Sequence, residues 1–281
     1  MSRWFLSPLL LLTLASACNS HSALSPTIIQ DAPGKAIQFF YESRGGSVEG
    51  FFSRPEGNRR FPLVVLLHGH SWLRSGAKQM VPVAEQFSQE LCYATLAISL
   101  PGYGMTDVPA SETDTETIAG LILDGIAKVR DLPWVDEDRV MLYGFSRGAS
   151  FAAILAGRIP HLRSVVLHSG AYDLVRLYQN TPNGWLRHLM NPRGETEPQL
   201  FNALAEAPRW RAPTLILHGG RDQVIPPSQA VMLHNKLQSL GKTHRLVVFP
   251  DSGHRLPPGS VKGEVAAFLK QHTGSGCVSD L

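Results

Sequence analysis

Residues 138 to 151 read Asp-Arg-Val-Met-Leu-Tyr-Gly-Phe-Ser-Arg-Gly-Ala-Ser-Phe, a short apolar strand leading through the pentad Gly144-Phe145-Ser146-Arg147-Gly148 into an apolar helix. A serine between two glycines at such a junction stands on a sharp, strained turn. Its hydroxyl clears the sheet, and the following backbone N–H and helix N-terminus face the same space. Gly144 and Gly148 are expected to permit the turn for two reasons. A side chain at either would strike the neighbouring strand or helix, and glycine tolerates unusual dihedrals. In a chain with 25 glycines the pentad alone decides little. The flanks decide more, because residues 140–143 suit a buried strand and residues 149–156 a buried helix.

A serine hydroxyl near neutral pH needs a histidine to take its proton and a carboxylate to orient that histidine. Leu215-Ile216-Leu217-His218-Gly219-Gly220-Arg221-Asp222 is a strand running into a turn, which puts Asp222 at the carboxyl edge of a sheet. Leu246-Val247-Val248-Phe249-Pro250-Asp251-Ser252-Gly253-His254 repeats the design with a histidine after the last strand. The order Ser146, Asp222, His254 is that of α/β-hydrolases and differs from the other two common serine-protease orders. Asp251 is the nearby competitor for the acid. Three residues before the histidine, it is better placed to cap its own turn through backbone N–H groups.

Attack on a carbonyl creates an oxyanion that backbone N–H groups can hold. One donor is expected from Arg147. The other is expected from the loop after the apolar strand 63–67, at His70, with Ser71 as fallback. The Arg147 side chain either steers an acidic substrate group or is simply solvated. Trp72 either lines an acyl pocket or packs on the surface. His68 and His218, beside tight turns, read as structural.

The stretches HGHSW (68–72), LPGYG (100–104), DRVMLYGFSRGAS (138–150), LHGGRDQVIPPSQA (217–230) and VVFPDSGH (247–254) resemble the α/β-hydrolase superfamily. The nearest likeness is to prolyl-oligopeptidase-like and dienelactone-hydrolase-like serine hydrolases, over residues 36 to 273. The resemblance implies Ser146 as nucleophile, Asp222 as orienting acid and His254 as base. Two departures are visible. The oxyanion loop reads His-Gly-His-Ser instead of a glycine-rich run, and no segment suits a β-propeller.

With 281 residues, 43% hydrophobic and 17% charged, the chain can bury a large core in one domain. A net charge of +3, without a Lys/Arg cluster interleaved with aromatics, gives no sign of a nucleic-acid partner. The three cysteines, Cys18, Cys92 and Cys277, lack metal-ligand spacing, and a serine triad requires no cofactor. Met1-Ser2-Arg3, an apolar stretch from 4 to 14 and Ala15-Ser16-Ala17 form an export signal, too short to span a bilayer. Leu14-Ala15-Ser16-Ala17-Cys18 also looks like a bacterial lipobox. The expectation is therefore a lipoprotein at the cell envelope, attached to the membrane through a lipidated Cys18, with a periplasmic or secreted protein as the alternative. Cys92 and Cys277 could pair in an oxidising compartment.

The expected order is a signal peptide (1–17), a flexible tether (18–34), a hydrolase domain (35–273) and a short tail (274–281). Within the domain, strands and helices alternate, the mark of a mostly parallel, doubly wound sheet with helices on both faces. A leading hairpin over 36–54 should turn at Gly45-Gly46. Strands are expected near 62–68, 93–99, 138–144, 163–169, 213–219 and 244–250. Helices are expected near 77–91, 114–131, 147–158, 227–240 and 260–272. Residues 171–211 exceed a simple crossover and suit a lid with helices near 172–178 and 198–206. The leading reading is hydrolysis of a small-molecule carboxylic ester through an acyl-enzyme. Cleavage of short peptides or amides, acyl transfer, and a catalytically inactive binding module are the alternatives. The oligomeric state is not legible in the sequence.

Overall fold

The computed structural model describes residues 29, 31–109, 114–159, 161–196 and 200–274. The expected export signal, Cys18 and Cys277 lie outside these residues. Cys92 is disulfide-bonded. Part of the expected tether is docked. Ile29 is buried in the main core, and Asp31 accepts two hydrogen bonds from the Arg54 guanidinium, each 2.5 Å.

One eight-stranded sheet organises the chain. Strands β1 (Ile37–Ser43) and β2 (Gly46–Ser53) form the antiparallel hairpin. Its turn lies one residue earlier than expected, because Gly46 pairs with Ser43 and the two connecting residues are Arg44 and Gly45, at φ 52° and 80°. A two-residue turn with both φ values positive matches the twist of the strands it joins. Strands β3 (Phe61–Leu67), β4 (Ala94–Ile98), β5 (Val135–Phe145), β6 (Leu162–His168), β7 (Thr214–Gly219) and β8 (His244–Phe249) follow in parallel. The spatial order is β1-β2-β4-β3-β5-β6-β7-β8. Since β4 lies on one side of β3 and β5 on the other, the chain reverses its direction of growth there. Ligand crevices form at such a point, outside the carboxyl ends of the strands.

Helices α1 (Val81–Leu91), α2 (Thr115–Arg130) and α3 (Arg147–Leu155) alternate with these strands. All seven residues of β3 are buried, as a strand covered on both faces requires. Its side chains alternate between two cores. Leu63, Val65 and Leu67 join α2, α3 and a later helix α6 (Ser228–Ser239), whereas Val64 and Leu66 join α1 and the last helix, α7 (Pro258–Thr273).

The insertion at 171–211 forms a cap, in which the helix expected near 172–178 is present two residues later and a second helix stands where none was expected. Helix α4 (Leu174–Asn180) is capped by Asp173, and α5 (Gly184–Met190) by Asn183, whose Oδ1 accepts the Leu186 N–H at 3.1 Å. Of the helix expected near 198–206, the described residues 200–206 hold a 3-10 turn at Ala203–Ala205, with a second following at Ala207–Arg209. Asn202 starts the first by accepting the Leu204 N–H, and Pro208 prevents the run from lengthening.

Candidate active site

Ser146 occupies the junction of β5 and α3 with φ 53° and ψ −117°. This corrects the expectation about the glycines, because the unusual dihedral sits on the serine itself. Gly144 and Gly148 are needed for close approach alone. A Cβ on Gly144 would lie 2.3 Å from the Gly148 carbonyl oxygen, and one on Gly148 would lie 2.1 Å from that of Leu67. The strained turn costs on the order of 1–3 kcal/mol and is held by its surroundings. The Ser146 N–H donates to the His168 carbonyl at 2.8 Å, and the Ser146 carbonyl accepts from Ala149 at 3.0 Å.

The structure brings the three expected side chains together. Ser146 Oγ is 2.9 Å from His254 Nε2, and His254 Nδ1 is 2.8 Å from Asp222 Oδ2. The turns after β7 and β8 are laced so that this can happen, with the Gly220 N–H donating to Phe249 and the Arg221 N–H to Ser252. Asp222 is buried, and its Oδ1 accepts the Val224 and Ile225 N–H groups at 2.9 Å each. Burial pushes its pKa up. Hydrogen bonds from His218, His254 and the Ile225 N–H outweigh that and hold the carboxyl well below the usual carboxylate range. An ionised Asp222 can only accept, so His254 Nδ1 carries the proton. Its Nε2 is then the acceptor for the Ser146 hydroxyl.

Asp251 takes neither the role of acid nor the expected role of turn cap. It lies exposed on the surface and pairs with Arg221 at 2.6 Å. His218, read from sequence as structural only, touches the site. It is fully buried, its Nε2–H donates to the Ile225 carbonyl at 2.9 Å, and the same nitrogen lies 3.3 Å from Asp222 Oδ2. The spacing His218 to Asp222 across the strand end was the available signal. His68 is structural, its Nδ1–H donating to Gly69 O and its Nε2 accepting the Leu100 N–H, with its pKa pushed down to about 3, chiefly by burial.

The loop expected to supply the second oxyanion donor runs against Ser146. A Cβ on Gly69 would sit 3.1 Å from Ser146 Cβ, and His70 and Arg147 both line the cavity beside Ser146. Tyr103, assigned no role from sequence, holds His70 through a 2.5 Å hydrogen bond to Nδ1. The loop carrying Tyr103 is anchored by buried Glu49, which accepts from Ser99 Oγ at 2.6 Å and from the Met105 N–H. Arg147 is not a solvated side chain. Its guanidinium lies over the rings of Tyr103 and Phe151, 5.3 Å from each centroid. Trp72, 76% exposed, lies outside the cavity against Trp185 of α5.

The cavity beside Ser146 has a volume of about 80 Å³. Leu174 and Leu177 of α4 and Trp185, Leu186, Leu189 and Met190 of α5 form its roof, and Phe151, Val224 and Ile225 complete the walls. Among the described residues its lining holds no carboxylate.

The model of the prolyl oligopeptidase family matches residues 121–276, and that of the FrsA-like esterases matches residues 27–173. Dipeptidyl-peptidase 5 of Schizosaccharomyces pombe is 23% identical over 89% of this chain and 38% of its own length. The chain spans about a quarter to two fifths of the curated relatives it matches. Among solved structures, an acylaminoacyl peptidase bound to Z-Gly-Gly-Phe-chloromethyl ketone superposes with TM-score 0.71 at 19% identity, over 85% of this chain and 42% of that one. The Pyrococcus furiosus esterase Pf2001 superposes with TM-score 0.67 at 19% identity, over 85% and 93%. The chain belongs to the prolyl oligopeptidase family of serine hydrolases and has the α/β-hydrolase fold.

Proposed function

We propose that this serine hydrolase cleaves a carboxylic ester with an apolar acyl group, through an acyl-enzyme on Ser146. The carrying observation is the hydrogen-bonded line from Asp222 Oδ2 through His254 to Ser146 Oγ, beside an apolar cavity roofed by the cap. His254 Nε2 accepts the hydroxyl proton as Ser146 attacks, and returns it to the leaving alcohol. Asp222 steadies the imidazolium, and the backbone N–H groups of Arg147 and His70 hold the oxyanion. Water activated by His254 then releases the acid. Matched families and relatives bear both peptidase and esterase names, so the cavity's chemistry carries the choice. A peptidase that captures a free α-amino group needs a carboxylate to meet that charge. The cavity's described lining offers only the Arg147 cation.

The test is labelling with a fluorophosphonate, followed by rates on p-nitrophenyl esters of rising acyl length and on a matched set of peptide amides. Ser146→Ala should abolish labelling and lower turnover by about 10⁴-fold or more. Faster cleavage of the amides than of every ester would replace the ester reading with a peptidase one. We also propose that the chain is exported and lipidated at Cys18. Cys18→Ser should then move it from the membrane to the soluble fraction or leave its signal unprocessed. An unmodified mature N-terminus in the wild type, read by mass spectrometry, would refute lipidation.

A further inference from the structure

On the face of the sheet that α1 and α7 cover, the two helices leave a groove of about 690 Å³ between them. A volume of this size lies within the range of small-molecule sites, and it is separate from the cavity under the cap. Its two ends differ in chemistry. Along the helices the walls are apolar, formed by Val83, Phe87 and Leu91 of α1 facing Val261 and Val265 of α7. At the other end stand Arg255, Phe145 and His168, with the Phe145 ring adjoining each of the other two. The Arg255 guanidinium lies 5.9 Å from the Phe145 centroid, and the Phe145 and His168 rings are 4.8 Å apart.

That second end is suited to an anion. Arg255 is exposed and forms no ion pair among the described residues, whereas the other cation of the groove, Lys262, is already paired with Glu90. His168 is more than nine-tenths buried and neutral, its pKa pushed down to about 3, chiefly by burial. The Tyr143 hydroxyl lies 2.8 Å from His168 Nδ1. With no other acceptor recorded for the phenol proton among the described residues, that proton goes to Nδ1 and leaves Nε2 as the protonated nitrogen. Nε2–H has no hydrogen-bond partner among the described residues. A buried donor left unpaired costs on the order of 1–3 kcal/mol, which an acceptor oxygen at that end of the groove would relieve.

The groove also borders the base. Arg255 and Leu256 follow His254 directly and line the groove, and Phe145 packs against the His254 ring at 5.4 Å between centroids. We propose that the α1–α7 groove is a second binding site, for an amphiphile with an apolar chain and a terminal carboxylate, and that its occupancy acts on His254 through Arg255, Leu256 and Phe145. The carboxylate pairs with Arg255 and lies toward His168, and the chain runs between α1 and α7. The binding claim stands whichever bond Ser146 cleaves. The effect on His254 rests on the proposed ester hydrolysis.

The experiment is calorimetric titration of the full chain with sodium octanoate, with octylamine as the control of opposite charge. Octanoate should bind saturably at millimolar concentration or below, and octylamine should not. Arg255→Gln should weaken octanoate binding about tenfold. Val83→Trp, which fills the groove, should abolish it, with Gln86→Trp as a second filling variant should the first fail to fold. Leu189→Trp, which fills the cavity under the cap, should leave it intact. Loss of binding in Leu189→Trp but not in the groove variants would overturn the assignment, as would equal affinity for octylamine or no saturation. Saturating octanoate should change kcat/KM on p-nitrophenyl acetate by about fivefold or more, and the change should vanish in Arg255→Gln. Binding without a kinetic effect would overturn the coupling alone. Failure to bind in an enzyme that still hydrolyses the ester would remove the groove site and leave the proposed function standing.

Discussion

The strand edge that carries Ser146, Asp222 and His254 and the cap that roofs their cavity meet at the same space but are held by different forces. At the edge, position comes from backbone. Glycines allow main-chain contact, the turns after β7 and β8 exchange hydrogen bonds, and Asp222 is fixed by two N–H groups. In the cap, position comes from apolar side chains, with Leu174, Leu177, Leu186 and Met190 forming a small cluster of their own with Ile225. The first kind of restraint tolerates almost no displacement. The second tolerates repacking at modest cost, which suits the proposed roles of an edge that fixes reacting atoms and a cap that sets what fits.

The sharpest test of that contrast is the choice of acid. Asp222→Asn keeps the shape of the edge but favours the wrong tautomer of His254, and kcat should fall by about 10²- to 10⁴-fold. Asp251→Asn removes only a surface pair and should leave kcat near that of the wild type. Kinetics on the two folded variants giving the opposite ranking would rewrite the edge with Asp251 as its acid. A step inward, His218→Gln should lower kcat about tenfold with KM little changed, because it loosens a carboxylate that two N–H groups still hold. A rise in KM at constant kcat would mean that His218 shapes the cavity instead.

Acid should separate the two regions as well. His68 and His168 are buried beneath the edge, and their pKa values fall from 6.5 to about 3 on folding. Between those values the unfolded chain binds the extra protons. Stability is therefore fully present above pH 6.5 and is lost as pH falls toward 3, by about 1 kcal/mol per pH unit for each ring. Urea midpoints at pH 7 and pH 5 should show the decline, and His168→Gln should remove its share. The smallest effect belongs to the cap. Trp185→Ala should change the preference among p-nitrophenyl esters by about threefold while kcat on the best ester is preserved. A collapse of kcat on every ester would show that the cap positions the reacting atoms as the edge does.

The same division decided what could be read from the sequence. Ser146, Asp222 and His254 each follow an apolar strand, and a strand that ends in a glycine turn announces its own geometry locally. The cap gives no such announcement. Helix α5 is seven residues long, too short for its Trp185, Leu186, Leu189 and Met190 to form a decisive period, and Asn183 starts it inside a polar stretch. Tyr103 was silent for another reason. Its bond to His70 joins residues 33 positions apart, and no local pattern predicts which aromatic will reach back across a loop. The hairpin turn was displaced by one residue because Arg44 accepts a positive φ that two adjacent glycines appeared better able to supply.

The order of the strands also governs when the protein becomes an enzyme. Ser146 and His254 are separated by 108 residues, and the His254 loop is placed only after β6 and β7 stand between β5 and β8. On the proposed roles, a chain still emerging from the ribosome carries its serine long before it carries the base, so a partly made copy has no proton acceptor beside that hydroxyl. On those roles, catalytic competence waits until residue 254 has been made and its loop placed. Turnover on a simple ester would then time the completion of folding, whereas a spectroscopic probe in the first five strands would register an earlier event.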